Sequence, residues 1–330
     1  MSRWKELALQ VLNGYVIPNE EALSILNSSD LELLELLQGA YLLRHHYFGN
    51  KVKLNMIFNA KSGLCPENCG YCSQSSISKA AIQKYTMVDK MTIVKGAEKA
   101  YKLNVGTYCI VASGRGPSDR EIDQVVSAVK EIKDQFDLKI CACLGILKPE
   151  QAAMLKAAGV DRYNHNLNTS ENHHNCITTS HTYQDRVNVV ELVKETGISP
   201  CSGVIVGMRE TRQDVVDMAF SLKAIDADSI PVNFLHAIEG TPLEGTNELN
   251  PRYCLKVLAL MRYVNPTKEI RISGGREVNL RSLQPLGLYA ANSIFVGNYL
   301  TTAGQESSAD HQMLKDLGFE VDFVNEKVQA

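Results

Sequence analysis

Leu138-Lys-Ile-Cys-Ala-Cys143, then Pro149-Glu-Gln-Ala-Ala-Met-Leu-Lys-Ala-Ala158, then Val160-Asp-Arg-Tyr-Asn164 read as strand, helix and strand in immediate succession. Two strands joined through a helix lie parallel, because an antiparallel pair needs only a hairpin turn. The unit repeats in both directions along the chain. Further short apolar runs occupy 52–59, 106–111, 200–206, 229–233, 269–272 and 293–296. Amphipathic stretches near 89–104, 118–135, 182–195, 211–224, 250–264 and 277–290 alternate with them, and a last helix fits 306–317. Eight strand–helix units with no strand-only or helix-only block predict an α/β fold closed as a (βα)8 TIM-type barrel. A doubly wound open sheet is the alternative, since periodicity does not show closure. The first fifty residues read as a helical extension, one helix opening at Pro18-Asn-Glu-Glu and another running over 30–47. The expected organisation is therefore an extension at 1–50, a barrel at 51–304, and a C-terminal helix and tail at 305–330.

The chain's 330 residues suit one barrel of roughly 250 residues with short additions. A net charge of −3 and the lack of any Lys/Arg block speak against a sequence-independent grip on nucleic acid. No long uninterrupted apolar stretch occurs, so neither a membrane span nor an export signal is expected, and the expected location is the cytoplasm. Nine cysteines in such a chain, an odd count, read as ligands, catalysts or small buried hydrophobes rather than as a disulfide framework.

Three of them form Gly63-Leu-Cys65-Pro-Glu-Asn-Cys69-Gly-Tyr-Cys72-Ser-Gln-Ser, on the loop after the first strand, where a barrel builds its active site. Structural zinc takes four protein ligands, and ferredoxin clusters recruit four cysteines in other spacings. Three thiolates without a fourth partner leave one iron of a cubane cluster open to bind a substrate or cofactor. Three incidental cysteines, or one zinc ligand with a distant histidine, are the blander readings. Tyr71, just before the last cysteine, is placed to pack against a nucleoside base.

Cys109, Cys141, Cys143, Cys176, Cys201 and Cys254 remain. Cys109, Cys141 and Cys201 fall on or beside different strands, and Cys141 shares a strand face with Cys143. Thiols from three strands converging in a lumen would suit a second iron–sulfur centre, but free cysteine also packs well. The sequence leaves open which of them meet. The run Arg162-Tyr-Asn164-His-Asn166-Leu-Asn168 supplies amides that suit ribose hydroxyls or a urea-like ring, or simply forms a turn. His165, between two asparagines, reads as a structural hydrogen-bonding residue, while His173, His174 and His181 lack ligand spacing. The Gly-rich Ser113-Gly-Arg-Gly-Pro lacks the dinucleotide-binding context, and its glycines would let backbone approach a bound cofactor.

C-x3-C-x-aromatic-C is the signature of the radical S-adenosylmethionine superfamily. Together with Tyr163-Asn-His-Asn-Leu, Cys201-Ser-Gly, Arg271-Ile-Ser-Gly-Gly-Arg-Glu and Ala291-Asn-Ser-Ile-Phe, in that order, the chain resembles the biotin synthase family from about residue 52 to 302. The resemblance implies a 4Fe-4S cluster on Cys65, Cys69 and Cys72 that binds S-adenosylmethionine and cleaves it to a 5′-deoxyadenosyl radical. It also implies a 2Fe-2S cluster on Cys109, Cys141, Cys201 and Arg271 that donates sulfur to dethiobiotin. Without the resemblance Arg271 would read as an anion partner, because arginine stays protonated under ordinary conditions. Cys143, Cys176 and Cys254 match no ligand position and keep a packing role. By the same resemblance Tyr71, Asn166 and Asn168 lie near S-adenosylmethionine, and Asn164, Asn166, Asn233, Thr301 and Thr302 near the substrate. Asn168 stands where some members carry Asp, which keeps hydrogen bonding but loses a charge. Thr301 and Thr302 have helix capping as their alternative. A homodimer and a low-potential electron donor such as flavodoxin or ferredoxin are implied too, and no catalytic acid or base is singled out. The competing readings are another radical enzyme that inserts sulfur or rearranges its substrate, and a zinc-dependent barrel hydrolase or lyase.

Overall fold

The computed structural model describes residues 2–322. Helices α1 (Arg3–Leu12), α2 (Asn19–Leu26) and α3 (Leu33–Phe48) come first. Strands β1 (Lys51–Lys61), β2 (Thr107–Ala112), β3 (Lys139–Cys143) and β4 (Arg162–Asn164) then alternate with α4 (Lys90–Lys102), α5 (Asp119–Gln135) and α6 (Pro149–Ala158). After α7 (His174–Ile177) and α8 (Tyr183–Glu195) follow β5 (Ser199–Cys201), β6 (Val204–Val206), α9 (Arg212–Ala224), β7 (Ser229–Phe234), α10 (Pro251–Val264) and β8 (Glu269–Ile272). The chain continues through α11 (Arg276–Leu280), α12 (Gln284–Gly287), β9 (Ser293–Phe295), α13 (Ser307–Asp316) and β10 (Glu320–Val321).

All pairings between these strands are parallel, and β1 pairs with both β2 and β9, which closes the ring. The fifth barrel position is shared by β5 and β6, both against β7, so the ring has eight staves as the repeat predicts. At the break between β5 and β6, Gly203 lies so close to β7 that an added Cβ would sit 1.9 Å from the Pro231 carbonyl oxygen.

Three of the surrounding helices begin with one device. The hydroxyls of Ser118, Thr182 and Thr211 accept from backbone N–H groups three residues on, while Glu121, Asp185 and Asp214 accept from the cap N–H in return. The extension packs on α10. Tyr263 donates 2.7 Å to the Trp4 carbonyl, and a Cβ on Gly39 would overlap that phenol at 1.9 Å.

Two local expectations are corrected. The single helix expected over 277–290 is α11, a 3-10 turn and α12, because Arg281 adopts φ 53° and a new helix opens at Gln284 with Pro285 in its first turn. Residues 320–321 add a short strand beside β1, pairing Lys51 with Glu320, where only a tail was expected. The rest of the expected tail, 323–330, lies outside the described residues.

Candidate active site in the barrel lumen

Side chains alternate along strands, so residues two apart share the lumen. Register then sets the levels. Cys109 pairs with Cys141, Cys141 with Arg162, Asn164 with Cys201, Cys201 with Ser229 and Ser229 with Glu269. Cys109 and Cys201 are the neighbouring thiols that shift the Cys141 thiol most. Arg271 Nη1 lies 3.9 Å from Cys201 Sγ, and Asn164 Nδ2 lies 3.3 Å from the same sulfur. Three of the six undecided cysteines therefore meet one guanidinium, all four residues being buried. Cys143 half-lines the cavity above them, on the Cys141 face as the alternation predicts. Cys254 is packed inside α10 as expected. Cys176 is not: it is exposed on α7 and fills no interior space.

The cysteine triplet rides on the long loop between β1 and α4. Asn68 holds that loop, its Oδ1 accepting from the N–H groups of Thr179 and Ser180 and from the Thr178 hydroxyl. Thr178 Oγ1 in turn lies 3.7 Å from Cys69 Sγ. Cys65, Cys69 and Cys72 all face one cavity of about 340 Å³, which the deeper Cys109, Cys141 and Arg271 also line. Among the described residues, no three His, Cys, Asp or Glu side chains converge as ligands of a single ion would. Three thiols on one loop facing the cavity, and three buried thiols around a guanidinium deeper in it, are the soft donors that iron–sulfur clusters take. Burial pushes the Cys72 thiol up to about 12 and also raises Cys65. Cys141 is raised well above the ordinary thiol range, first by the neighbouring Cys109 thiol and then by burial. Such thiols ionise when a cationic metal compensates the buried charge.

Amides line the mouth. Asn164 Nδ2 donates 2.8 Å to Asn166 Oδ1, and Asn168 Nδ2 donates 2.5 Å to the Tyr71 hydroxyl. Asn233 braces β6 to the turn after β8, donating to the Val204 carbonyl and accepting from the Gly274 N–H, both at 2.9 Å. All four amides reach the cavity. Thr301 and Thr302 lie outside its lining. Thr301 Oγ1 lies 2.8 Å from Ser73 Oγ, just behind Cys72, and the Thr302 carbonyl closes a turn with the Tyr299 N–H. Neither caps a helix, since α13 starts only at Ser307.

His165 corrects another expectation. Its Nε2 is buried with no partner, on the cavity wall, and burial pushes its pKa down to about 3. The glycine-rich 113–116 loop works partly by close approach to its neighbour. A Cβ on Gly145 would sit 2.4 Å from the Arg115 carbonyl, while Gly114 lines the cavity.

Several lining residues escape sequence reasoning. Glu67, inside the cysteine loop, pairs with His181 and with Arg115 at 3.1 Å. Arg186 donates 2.8 Å to the Asn166 carbonyl while its Nε stays buried and unpartnered beside the cavity. Its signal, a charge on the buried face of an amphipathic helix, is visible only once that face is known.

A closed parallel barrel with a C-x3-C-x2-C cysteine triplet on its first strand–helix loop is the architecture of a radical S-adenosylmethionine enzyme. Residues 61–222 match the Radical SAM superfamily, and residues 231–320 match the Biotin and Thiamin Synthesis associated domain. The chain is 76% identical to biotin synthase of Geobacillus kaustophilus (strain HTA426) over 323 residues, 98% of this chain and 97% of that one. It is 77% identical to biotin synthase of Anoxybacillus flavithermus over 320 residues, 97% of each chain. Against biotin synthase of Bacillus subtilis (strain 168) it is 72% identical over 326 residues, 99% of this chain and 97% of that one. The chain belongs to the biotin synthase family. Its fold is similar to that of methylornithine synthase, with a TM-score of 0.84 at 19% identity over 96% of this chain and 97% of that one. It is also similar to the FeFe-hydrogenase maturase of Carboxydothermus hydrogenoformans, with a TM-score of 0.81 at 16% identity over 98% of this chain and 80% of that one. No helix among the described residues is long and apolar enough to cross a membrane.

Proposed function

We propose that this chain converts dethiobiotin to biotin by radical insertion of sulfur between two saturated carbons. The observation that carries the reading is one cavity shared by two thiol sets, Cys65, Cys69 and Cys72 at the mouth and Cys109 and Cys141 deeper, with Cys201 behind them. The mouth set would hold the 4Fe-4S cluster, and the deep set with Arg271 the 2Fe-2S cluster. When bound, the first supplies the electron that splits the sulfonium C–S bond of S-adenosylmethionine, and the second supplies the sulfur.

The chain's own residues bind, orient and shield. Tyr71 offers a ring face to the adenine, and its hydroxyl with Asn168 and Asn166 faces the ribose. The unpartnered N–H of Arg186 is free for a carboxylate. Asn164 and Asn233 present amides to the ureido ring, whose donors and acceptors they match. Thr301 supports the triplet loop through Ser73, and Thr302 shapes the turn beside it. The enclosing barrel excludes water, which protects a carbon radical from quenching.

The same reading divides the chain into the extension 1–50, the barrel 51–304 and the tail 305–330, and makes it a cytoplasmic homodimer served by a flavodoxin or ferredoxin. Anaerobic reconstitution followed by Mössbauer spectroscopy tests the cluster assignment. Cys201→Ala is expected to lose the two-iron signal and keep the four-iron one. A wild-type protein that binds only the four-iron centre would overturn the sulfur-donor role.

A further inference from the structure

Below the inner thiols the lumen holds a buried carboxylate that has no part in the assignment above. Glu269, 3% exposed, precedes Arg271 by two residues on β8 and so shares its face. Its Oε1 accepts from Arg271 Nη2 at 2.7 Å and from Ser229 at 2.9 Å. Its Oε2 accepts from Arg162 Nη1 at 2.8 Å and pairs with Lys53 at 3.3 Å. Residues from β1, β4, β7 and β8 are thus tied through one side chain.

The consequence for Arg271 is geometric. Nη2 is used twice, by Glu269 and by Ser229 at 2.8 Å, and Nε points to Ser293 Oγ at 3.3 Å. The guanidinium carbon lies 5.1 Å from the Phe295 ring centroid, which fixes its plane. Nη1 is the one nitrogen left facing Cys201. A serine hydroxyl alone discriminates weakly between the two terminal nitrogens, whereas a carboxylate on one side of the fork does so strongly. Arg162, Arg271 and Lys53 surround the Glu269 carboxylate at 2.8, 2.7 and 3.3 Å. Arg162 and Lys53 also offset its charge, so an anionic centre above it is not repelled.

Building on the inner cluster assigned above, we propose that Glu269 is a positioning residue, which turns the Arg271 guanidinium so that Nη1 alone faces the Cys201 sulfur of that set. Outer partners of metal ligands tune both affinity and electronic structure.

The test compares full-length wild type, Glu269→Gln, and the double variant Glu269→Gln with Arg162→Gln, all reconstituted anaerobically. Mössbauer and visible spectra report the two-iron centre, and its loss to an iron chelator is timed. Glu269→Gln is expected to keep the four-iron signal, shift the two-iron signal and lose that centre about 10-fold faster. Because Glu269→Gln leaves three cations unbalanced and risks misfolding, the double variant carries the decision. A two-iron signal still shifted there supports positioning. A signal restored to wild type means that only charge balance mattered, and unchanged spectra and lifetime in both variants mean Glu269 positions nothing. Either result overturns the proposal. Absence of a two-iron centre in wild type would instead overturn the inner-cluster reading, and this inference with it.

Discussion

The side-chain amide of Asn168 donates a 2.5 Å hydrogen bond to the hydroxyl of Tyr71, ninety-seven residues earlier in the chain. It joins the loop that carries Cys65, Cys69 and Cys72 to the segment after β4. Asn168 does this with φ 69°, a left-handed backbone that Asn adopts more readily than most residues. The strained position, the amide and the aromatic ring form one unit at the cavity mouth.

Removing parts of that unit should have graded effects. Tyr71→Phe keeps the ring and deletes one hydrogen bond worth about 1 kcal/mol, a weakening of S-adenosylmethionine binding of about 5-fold at most. Tyr71→Ala also removes the stacking surface and is expected to weaken binding by more than about 10-fold. Equilibrium binding to the reconstituted protein measures both, and equal affinities for all three proteins would refute a role for the ring.

Arg276 and Asp310 form a buried ion pair, 1% and 0% exposed in their side chains and 2.7 Å apart, that fastens α13 to the segment after β8. Arg276→Met leaves a buried carboxylate without its cation and should cost about 3–5 kcal/mol of stability. Combining it with Asp310→Leu should recover at least about 2 kcal/mol, since a buried pair replaced by apolar side chains is often near neutral. Denaturant titration of the two variants decides it, and a double variant no more stable than Arg276→Met would contradict the pairing.

Histidine burial sets an acid limit. Burial, followed by the positive Arg186 and His181, pushes His165 down to about 3, and burial also lowers His174 and His181. Their folded values lie below the unfolded value near 6.5, so the stability they carry is complete above that pH and is lost as pH falls. Each contributes a slope of at most about 1.4 kcal/mol per pH unit. The melting temperature should therefore fall between pH 6.5 and about 5, above the ordinary carboxylate range, and fall less steeply in His165→Gln. A melting temperature constant across that window would contradict the burial of these rings.

Much of the architecture was legible in local pattern. The strand–helix alternation, eight units long, predicts eight parallel staves, and the shared face of Cys141 and Cys143 follows from period two. Closure was not legible, because the pairing of β1 with β9 joins residues at opposite ends of the barrel sequence. Nor was the meeting of Cys109, Cys141 and Cys201, which depends on register between strands; the residues alone left six candidates and the family resemblance chose three. The break in the 277–290 helix has its sequence signal in Pro285, which favours the first turn of a helix over its interior. Glu269 was read only as the start of a strand, because its partners Arg162 and Lys53 come from strands more than a hundred residues away. The hydrogen-bonding role expected of His165 fails because its flanking Asn164 and Asn166 turn toward each other and Cys201 rather than toward its ring.

Turnover tests the central claim most directly. The reconstituted protein is incubated without oxygen with dethiobiotin, S-adenosylmethionine and a strong reductant, and the products are weighed by mass spectrometry. Biotin is expected together with 5′-deoxyadenosine and methionine, and none of it in Cys65→Ala. Release of 5′-deoxyadenosine with no biotin, from protein carrying both clusters, would contradict the account.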